Sequence, residues 1–309
     1  MSHSHYPPTR VYRGRFAPSP SGPLHLGSLV AAVGSYVQAK AHKGEWLLRI
    51  ENLDPMREIS GGSEEILKAL EKLGMEWDRP VVYQSERSES YQAALARLEE
   101  QNLIYPCSCS RKEIMDSTLS GIEGPVYPGT CRKHLHRRTS PVSCRIRTDN
   151  EPIEFVDALQ GPVRQQLQQD IGDFVLRRSD GVFAYQLAVV VDDAEQGVTH
   201  VVRGEDLLNS TPRQIYLQRR LGYPTPYYFH LPVVVNAKGE KLSKQTRAVP
   251  VNTANPIPQL ITALRLLGQT PLPELVDAEL ASFWKWTIAN WRPGRIPRNV
   301  LTAPLGTRV

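Results

Sequence analysis

The stretch Arg15-Phe16-Ala17-Pro18-Ser19-Pro20-Ser21-Gly22-Pro23-Leu24-His25-Leu26-Gly27-Ser28 decides the fold. Before it, Val11 to Phe16 reads as a short strand. After it, Leu29, Val30, Val33 and Val37 recur at helical spacing. Between them lies a Pro/Gly/Ser-rich turn, Pro18 to Pro23. A strand-to-helix turn at the carboxyl edge of a parallel sheet is where α/β proteins hold nucleotides. The helix N-terminus there offers N–H groups and a positive dipole to phosphate. His25 can add a hydrogen bond to a phosphate or ribose, and Gly27 has no Cβ to obstruct a flat base. Neither the G-x-x-x-x-G-K-S/T loop nor the G-x-G-x-x-G fingerprint occurs, so the site is of another kind.

Outward from this turn the chain alternates. Glu45 to Glu51 reads as a second strand ending in acids. Gly61 and Gly62 precede a helix with Ile66, Leu67, Leu70 and Leu73 on its apolar face, stopped by Gly74. Another helix carries Tyr91, Leu95 and Leu98. Strand, helix, strand, helix predicts an α/β fold with a Rossmann-type parallel sheet. Near Tyr105 the pattern breaks, and irregular sequence with strand-like runs such as Phe183 to Val191 continues to about Gln196. Alternation resumes with Val198 to Val202, a helix around Pro212 to Leu221, a strand at Phe229 to Val235 and a Lys-rich loop at Asn236 to Gln245. The tail has one clear helix (Ile257, Leu260, Ile261, Leu264, Leu267) and then many prolines. The expected organisation is a catalytic half over 1–104, an insertion over 105–196, a second catalytic half over 197–250 and a helical segment over 251–309.

Composition narrows the class. Hydrophobic residues make up 40% and charged residues 22% of 309 residues, as in an ordinary soluble globular protein with a sizeable core. Net charge is +5 and the pI about 9.0, a balance compatible with a polyanionic partner but too modest to demand one. The opening MSHSHYPPTR lacks the apolar region of a secretory leader, and no run of about 18 apolar residues would span a bilayer. A cytoplasmic protein without a membrane partner is expected, and a monomer. Of four cysteines, Cys107, Cys109 and Cys131 cluster while Cys144 stands apart. That spacing suits a tetrahedral zinc better than a disulfide framework, with His134 and His136 as nearby candidates for a fourth ligand.

The run P-S-P-x-G-x-x-H-x-G resembles the "HIGH" signature of class I aminoacyl-tRNA synthetases in its glutamate/glutamine form, and Lys241-Leu242-Ser243-Lys244-Gln245 resembles the companion "KMSKS" loop, with Gln245 in place of its last Ser. The resemblance covers residues 11 to 250. It implies that ATP and L-glutamate are condensed to an adenylate, with Mg2+ accompanying ATP. It implies that His25, Lys241 and Lys244 serve the phosphates and that Gly27 borders the nucleotide. It also implies that Arg15, Ala17, Ser19, Glu51, Tyr185 and Arg203 border the glutamate, with Glu51 on the ammonium and Arg203 on a carboxylate. Relatives with a CxC…YxxxC pattern add Tyr127 to Cys107, Cys109 and Cys131 as a structural zinc site, with His134 as the alternative. Residues 246 to 309 cannot supply a large anticodon-binding region. A truncated chain of this pattern is similar to the glutamyl-queuosine branch, in which the acceptor is the queuosine base in the anticodon stem-loop of tRNA(Asp). The other implied reading is a short enzyme that charges a tRNA 3′ end.

Overall fold

The computed structural model describes residues 11–116, 120–136, 141–242 and 249–303. Strand β1 (Arg13–Phe16) leads through the Pro-rich turn into helix α1 (Leu26–Ala41), then strand β2 (Glu45–Ile50), helix α2 (Gly62–Lys72), strand β3 (Val82–Tyr83) and helix α3 (Ser88–Glu100). β2 pairs in parallel with β1 on one side and β3 on the other. The strand His200–Gly204 pairs in parallel with Tyr227–Leu231. It meets β1 through the Thr199 N–H, which donates to the Arg13 carbonyl at 2.9 Å. The anticipated parallel α/β layer is therefore present, and its two halves join beside the nucleotide-type turn.

α1 is apolar on nearly every face, with Leu29, Val30, Val33 and Val37 buried, because it is covered on both sides. The sheet side is close: a Cβ at Gly34 would stand 2.4 Å from Leu231 Cδ1. The other side receives the tail. Trp291 Nε1 donates to Gln38 Oε1 at 2.5 Å, and the Trp284 ring meets Tyr36 edge-on at 4.9 Å. Trp284 Nε1 also donates to the Leu73 carbonyl at 2.9 Å. The tail contains the expected helix, Ile257–Leu266, and a second, Leu280–Ala289, absent from the sequence reading. Its flanking prolines hid it; the burial of Phe283 and Trp284 against α1 stabilises it where propensity alone would not.

Two further expectations need correction. Phe183 to Val191 is not a strand: Tyr185–Glu195 is a helix that carries Asp192 and Asp193 in its last turn. Its β-branched run favours a strand locally, but Leu187 to Val191 are all buried, and packing on every side overrides that preference. The strand expected over Phe229 to Val235 stops at Leu231 and restarts at Val234–Val235, interrupted at Pro232. Among the described residues of the middle segment, antiparallel pairs prevail: Ile104–Cys107 with Ser143–Ile146, and Ile153–Asp157 with Gly161–Gln165.

Candidate active site and cysteine cluster

A cleft of about 950 Å3 opens at the carboxyl ends of the parallel strands. Its walls include Arg15, Ala17, Ser19, His25, Gly27 and Glu51, and also Tyr185, Arg203, Asp206 and Lys241. Every residue expected from the sequence to touch nucleotide or amino acid therefore lines one cavity, except Lys244, which lies outside the described residues.

His25 is the N-cap of α1. Its Nδ1 accepts from the Gly27 N–H at 3.1 Å and the Ser28 N–H at 3.4 Å, while Ser28 Oγ accepts from the His25 N–H at 2.8 Å. This capping box changes the expectation of an open helix N-terminus: two of its N–H groups are already taken. With Nδ1 accepting, a neutral ring carries its proton on Nε2, which makes that edge the donor. Described residues on either side of 243–248 lie against the same turn. The Val251 N–H donates to the Leu24 carbonyl at 2.8 Å, and a Cβ on Gly27 would stand 3.5 Å from the Leu242 carbonyl. Lys241 Nζ reaches Asp206 Oδ2 at 2.6 Å.

Deeper in the cleft lies a buried charge network that the sequence did not reveal. Arg15 makes a two-pronged contact with Asp193, at 3.1 and 3.4 Å. Arg49 reaches Asp193 at 2.8 Å, Asp192 at 3.7 Å and Glu51 at 3.5 Å. Asp192 also takes bonds from Arg87, Gln84 and Tyr91. Glu51 is the acid that this network serves least. Its Oε1 is buried without a hydrogen-bond partner among the described residues. Burial pushes its carboxyl up to about 7, against the pull of Arg49 and Arg15. A buried carboxyl, raised and under-bonded in a cleft, is a candidate functional group.

Arg203 has the opposite character. Nε donates to His230 Nε2 at 3.0 Å, and Nη2 donates to Thr211 Oγ1 and Gln214 Oε1, both at 2.8 Å. Nη1 faces the Tyr185 hydroxyl at 3.4 Å. These partners are neutral, and no carboxylate lies within ion-pair distance of Arg203 among the described residues. Asp193, Arg49, Thr211, Gln214 and His230 went unnoticed in the sequence. Asp192-Asp193 after a five-residue apolar run, and His230 inside an apolar strand, were the available signals.

The cysteines Cys107, Cys109 and Cys131 converge, with their sulfurs all within 4.8 Å of one another. Zinc–sulfur bonds of about 2.3 Å would put tetrahedral ligand sulfurs about 3.8 Å apart. The Cys109 and Cys131 sulfurs are 3.6 Å apart. The Tyr127 hydroxyl joins them, 3.3 Å from Cys107 Sγ and 3.8 Å from Cys109 Sγ. His134 is exposed and is not part of the cluster. The Cys131 thiol is held down to about 6: burial opposes this, but N–H donation from His136 and Ser108 outweighs it. The donor set and spacing thus fit a tetrahedral thiophilic cation.

The catalytic-domain model of class I tRNA synthetases (E and Q) matches residues 11–279. The chain is 54% identical over 292 residues to a glutamyl-Q tRNA(Asp) synthetase of Dechloromonas aromatica (strain RCB), covering 94% of this chain and 97% of that protein. It is 53% identical over 289 residues to the protein of that name from Aromatoleum aromaticum, covering 94% and 91%. Its fold matches that of a glutamate tRNA ligase from Elizabethkingia meningosepticum with a TM-score of 0.78 at 24% identity, over 96% of this chain and 68% of that one. No helix among the described residues is long and apolar enough to cross a membrane. The chain belongs to the class I tRNA synthetase family of the glutamate and glutamine type, among relatives named glutamyl-Q tRNA(Asp) synthetase.

Proposed function

We propose that the protein activates L-glutamate with ATP, without tRNA, and transfers the glutamyl group to the queuosine base of tRNA(Asp). The observation that carries the amino-acid half is the pair of unmatched poles in one cleft. Glu51 is a buried acid whose Oε1 has no hydrogen-bond partner among the described residues, and Arg203 is a cation held only by neutral groups. An α-ammonium suits the first and a side-chain carboxylate the second. Arg15 is already paired with Asp193, so it shapes the pocket wall rather than supplying the unmatched charge. Ala17 and Ser19 line the mouth and Tyr185 bridges towards Arg203.

In the first step an oxygen of the glutamate α-carboxylate attacks the α-phosphorus of ATP. The bond from that phosphorus to the bridging oxygen breaks, and pyrophosphate leaves. The protein's part is to align the reactants and to match growing negative charge. His25 donates from Nε2, Gly27 admits the nucleotide, and Lys241 and Lys244 meet the phosphates. Mg2+ bound with ATP supplies charge neutralisation of the phosphates. In the second step the oxygen of an acceptor hydroxyl attacks the acyl carbon, the bond from that carbon to the phosphate oxygen breaks, AMP leaves and the hydroxyl proton passes to solvent. Cys107, Cys109, Cys131 and Tyr127 would hold a structural zinc that ties the middle segment together. The anticodon stem-loop of tRNA(Asp) as acceptor rests on the likeness to the glutamyl-Q relatives.

The experiment is to incubate the protein with labelled glutamate, ATP and tRNA(Asp), with and without queuosine. Label retained on queuosine-containing tRNA alone is expected. Equal label on tRNA lacking queuosine would move the acceptor to a 3′ end, and absence of glutamate-dependent ATP–pyrophosphate exchange would overturn the activation step.

A further inference from the structure

Behind Arg203 stands a pair of buried side chains that does not line the cleft: His230 and Asp157. Both side chains are fully buried. His230 Nδ1 lies 2.6 Å from Asp157 Oδ2, and its Nε2 lies 3.0 Å from Arg203 Nε. A guanidinium only donates, so His230 Nε2 must accept, and the single ring proton must sit on Nδ1, facing Asp157. Asp157 is in turn fixed from behind: its Oδ1 accepts the N–H groups of Leu159 at 3.0 Å and Gln160 at 2.8 Å, and the His230 N–H approaches the same carboxylate. Carboxylate, imidazole and guanidinium thus form one chain. Nε and Nη2 of Arg203 are committed to His230, Thr211 and Gln214, which fixes the plane of the fork and turns Nη1 towards Tyr185 and the cleft.

We infer that Asp157 and His230 are positioning residues for glutamate: Asp157 sets the His230 tautomer, and that tautomer aims Arg203 at the substrate carboxylate while leaving its charge unmatched. A carboxylate placed directly on Arg203 would orient it equally well but would cancel the charge that the substrate must meet. A neutral imidazole in between orients without cancelling. The burial of His230, with the nearby Arg203 charge, keeps the ring neutral, although Asp157 pulls the other way. The inference rests on the glutamate reading above for its substrate and on the hydrogen-bond geometry alone for its tautomer.

The test is Asp157→Asn, which preserves shape. The Leu159 and Gln160 N–H groups, both on Oδ1, claim the amide oxygen of the new side chain, so its NH2 faces Nδ1. The ring proton then moves to Nε2, where it opposes the Arg203 N–H; imposing a wrong tautomer by such a change disables a histidine without moving it. We expect at least a tenfold rise in KM for glutamate in ATP–pyrophosphate exchange, with KM for ATP within twofold of the wild type. His230→Gln keeps an acceptor near Arg203 but has no tautomer to set. Adding Asp157→Asn to it should therefore change KM for glutamate less than twofold, whereas a merely structural Asp157 would cost the same in both backgrounds. Nitrogen-15 NMR of imidazole-labelled wild-type protein should show His230 protonated on Nδ1. A proton on Nε2 in the wild type, or an unchanged glutamate KM in Asp157→Asn, would overturn the inference. Wild-type exchange without glutamate dependence would instead remove the substrate reading, and the NMR result would then decide the Asp157–His230–Arg203 chain by itself.

Discussion

Glu51→Gln should make the ligand-free protein more stable while destroying its use of glutamate. Glu51 has its carboxyl pushed from 4.5 up to about 7 by burial, against the partial pull of Arg49 and Arg15. At about 1.4 kcal/mol per unit, keeping it ionised costs the folded state about 3 kcal/mol. The sign follows from proton counts. Between pH 4.5 and 7 the folded chain holds the Glu51 proton and the unfolded chain does not, so this group lowers stability as pH rises through that window. Above pH 7 the whole cost is present; below pH 4.5 it is absent. Glutamine has the same shape and no charge to desolvate. With about 2.1 cal/mol/K of unfolding entropy per residue, 3 kcal/mol corresponds to a Tm increase of about 4 to 5 °C in a chain this long.

The assay is thermal unfolding of wild-type and Glu51→Gln protein without ligand at pH 5 and pH 8. The Tm gap should favour Gln at pH 8 and largely close at pH 5. Saturating glutamate should raise the wild-type Tm and leave the variant unchanged, because the α-ammonium completes the Glu51 pairing. In the wild type, KM for glutamate should rise as pH falls from 8 to 6, since protonated Glu51 no longer offers an anion. Equal Tm values at pH 8, or a variant less stable than the wild type there, would refute the claim that Glu51 is a strained, waiting carboxylate.

Further outcomes are expected for the cleft and for the cysteine cluster. Arg203→Ala removes charge-assisted hydrogen bonds worth about 3 kcal/mol together, so KM for glutamate should rise about 100-fold in exchange assays while KM for ATP holds. Lys241→Ala should lower kcat of exchange about 100-fold, as for loss of one group that matches transition-state charge; Asp206→Ala removes the partner seen at 2.6 Å and should lower KM for ATP if that pair competes with the phosphates. Metal analysis should find one zinc per chain; Cys107→Ser should lose it and several degrees of Tm, and Tyr127→Phe should bind it more weakly, whereas full retention in Tyr127→Phe would leave the fourth position to another donor.

The legible part of this protein was local. The turn from Arg15 to Ser28 announces itself by Pro, Gly and a capping His at fixed offsets, and the alternation on either side of it sets the parallel order. Glu51 and Arg203 were named through the family resemblance, each standing at the carboxyl end of a strand. The illegible part was relational. Arg15 meets Asp193, and Arg49 meets Gln196, across more than a hundred positions, and no spacing rule links them. The helix Tyr185–Glu195 was misread because its β-branched run carries strand propensity, and only burial on every side explains the helix. The tail helix Leu280–Ala289 was missed because the groove it fills belongs to α1 and α2.

On the proposed reading, those relational contacts set which amino acid the cleft prefers. Arg15, Arg49 and Arg87 are matched by Asp192, Asp193 and Glu195, so the interior network is near balance before Glu51 is counted. Glu51 is then a surplus anion, and Arg203, whose direct partners are all neutral and whose relayed acid Asp157 stands behind His230, presents its charge to the cleft without a carboxylate in contact. A zwitterion with a neutral side chain would satisfy Glu51 and leave Arg203 with an unmatched buried charge. A second carboxylate satisfies both poles at once. Glutamine, the nearest isostere of glutamate, offers Arg203 only a neutral carbonyl, and the loss is that of an unpaired buried charge rather than of one hydrogen bond. On the proposed reading, an acidic side chain is preferred because no carboxylate touches Arg203 directly, a neutral imidazole orienting it in a carboxylate's place.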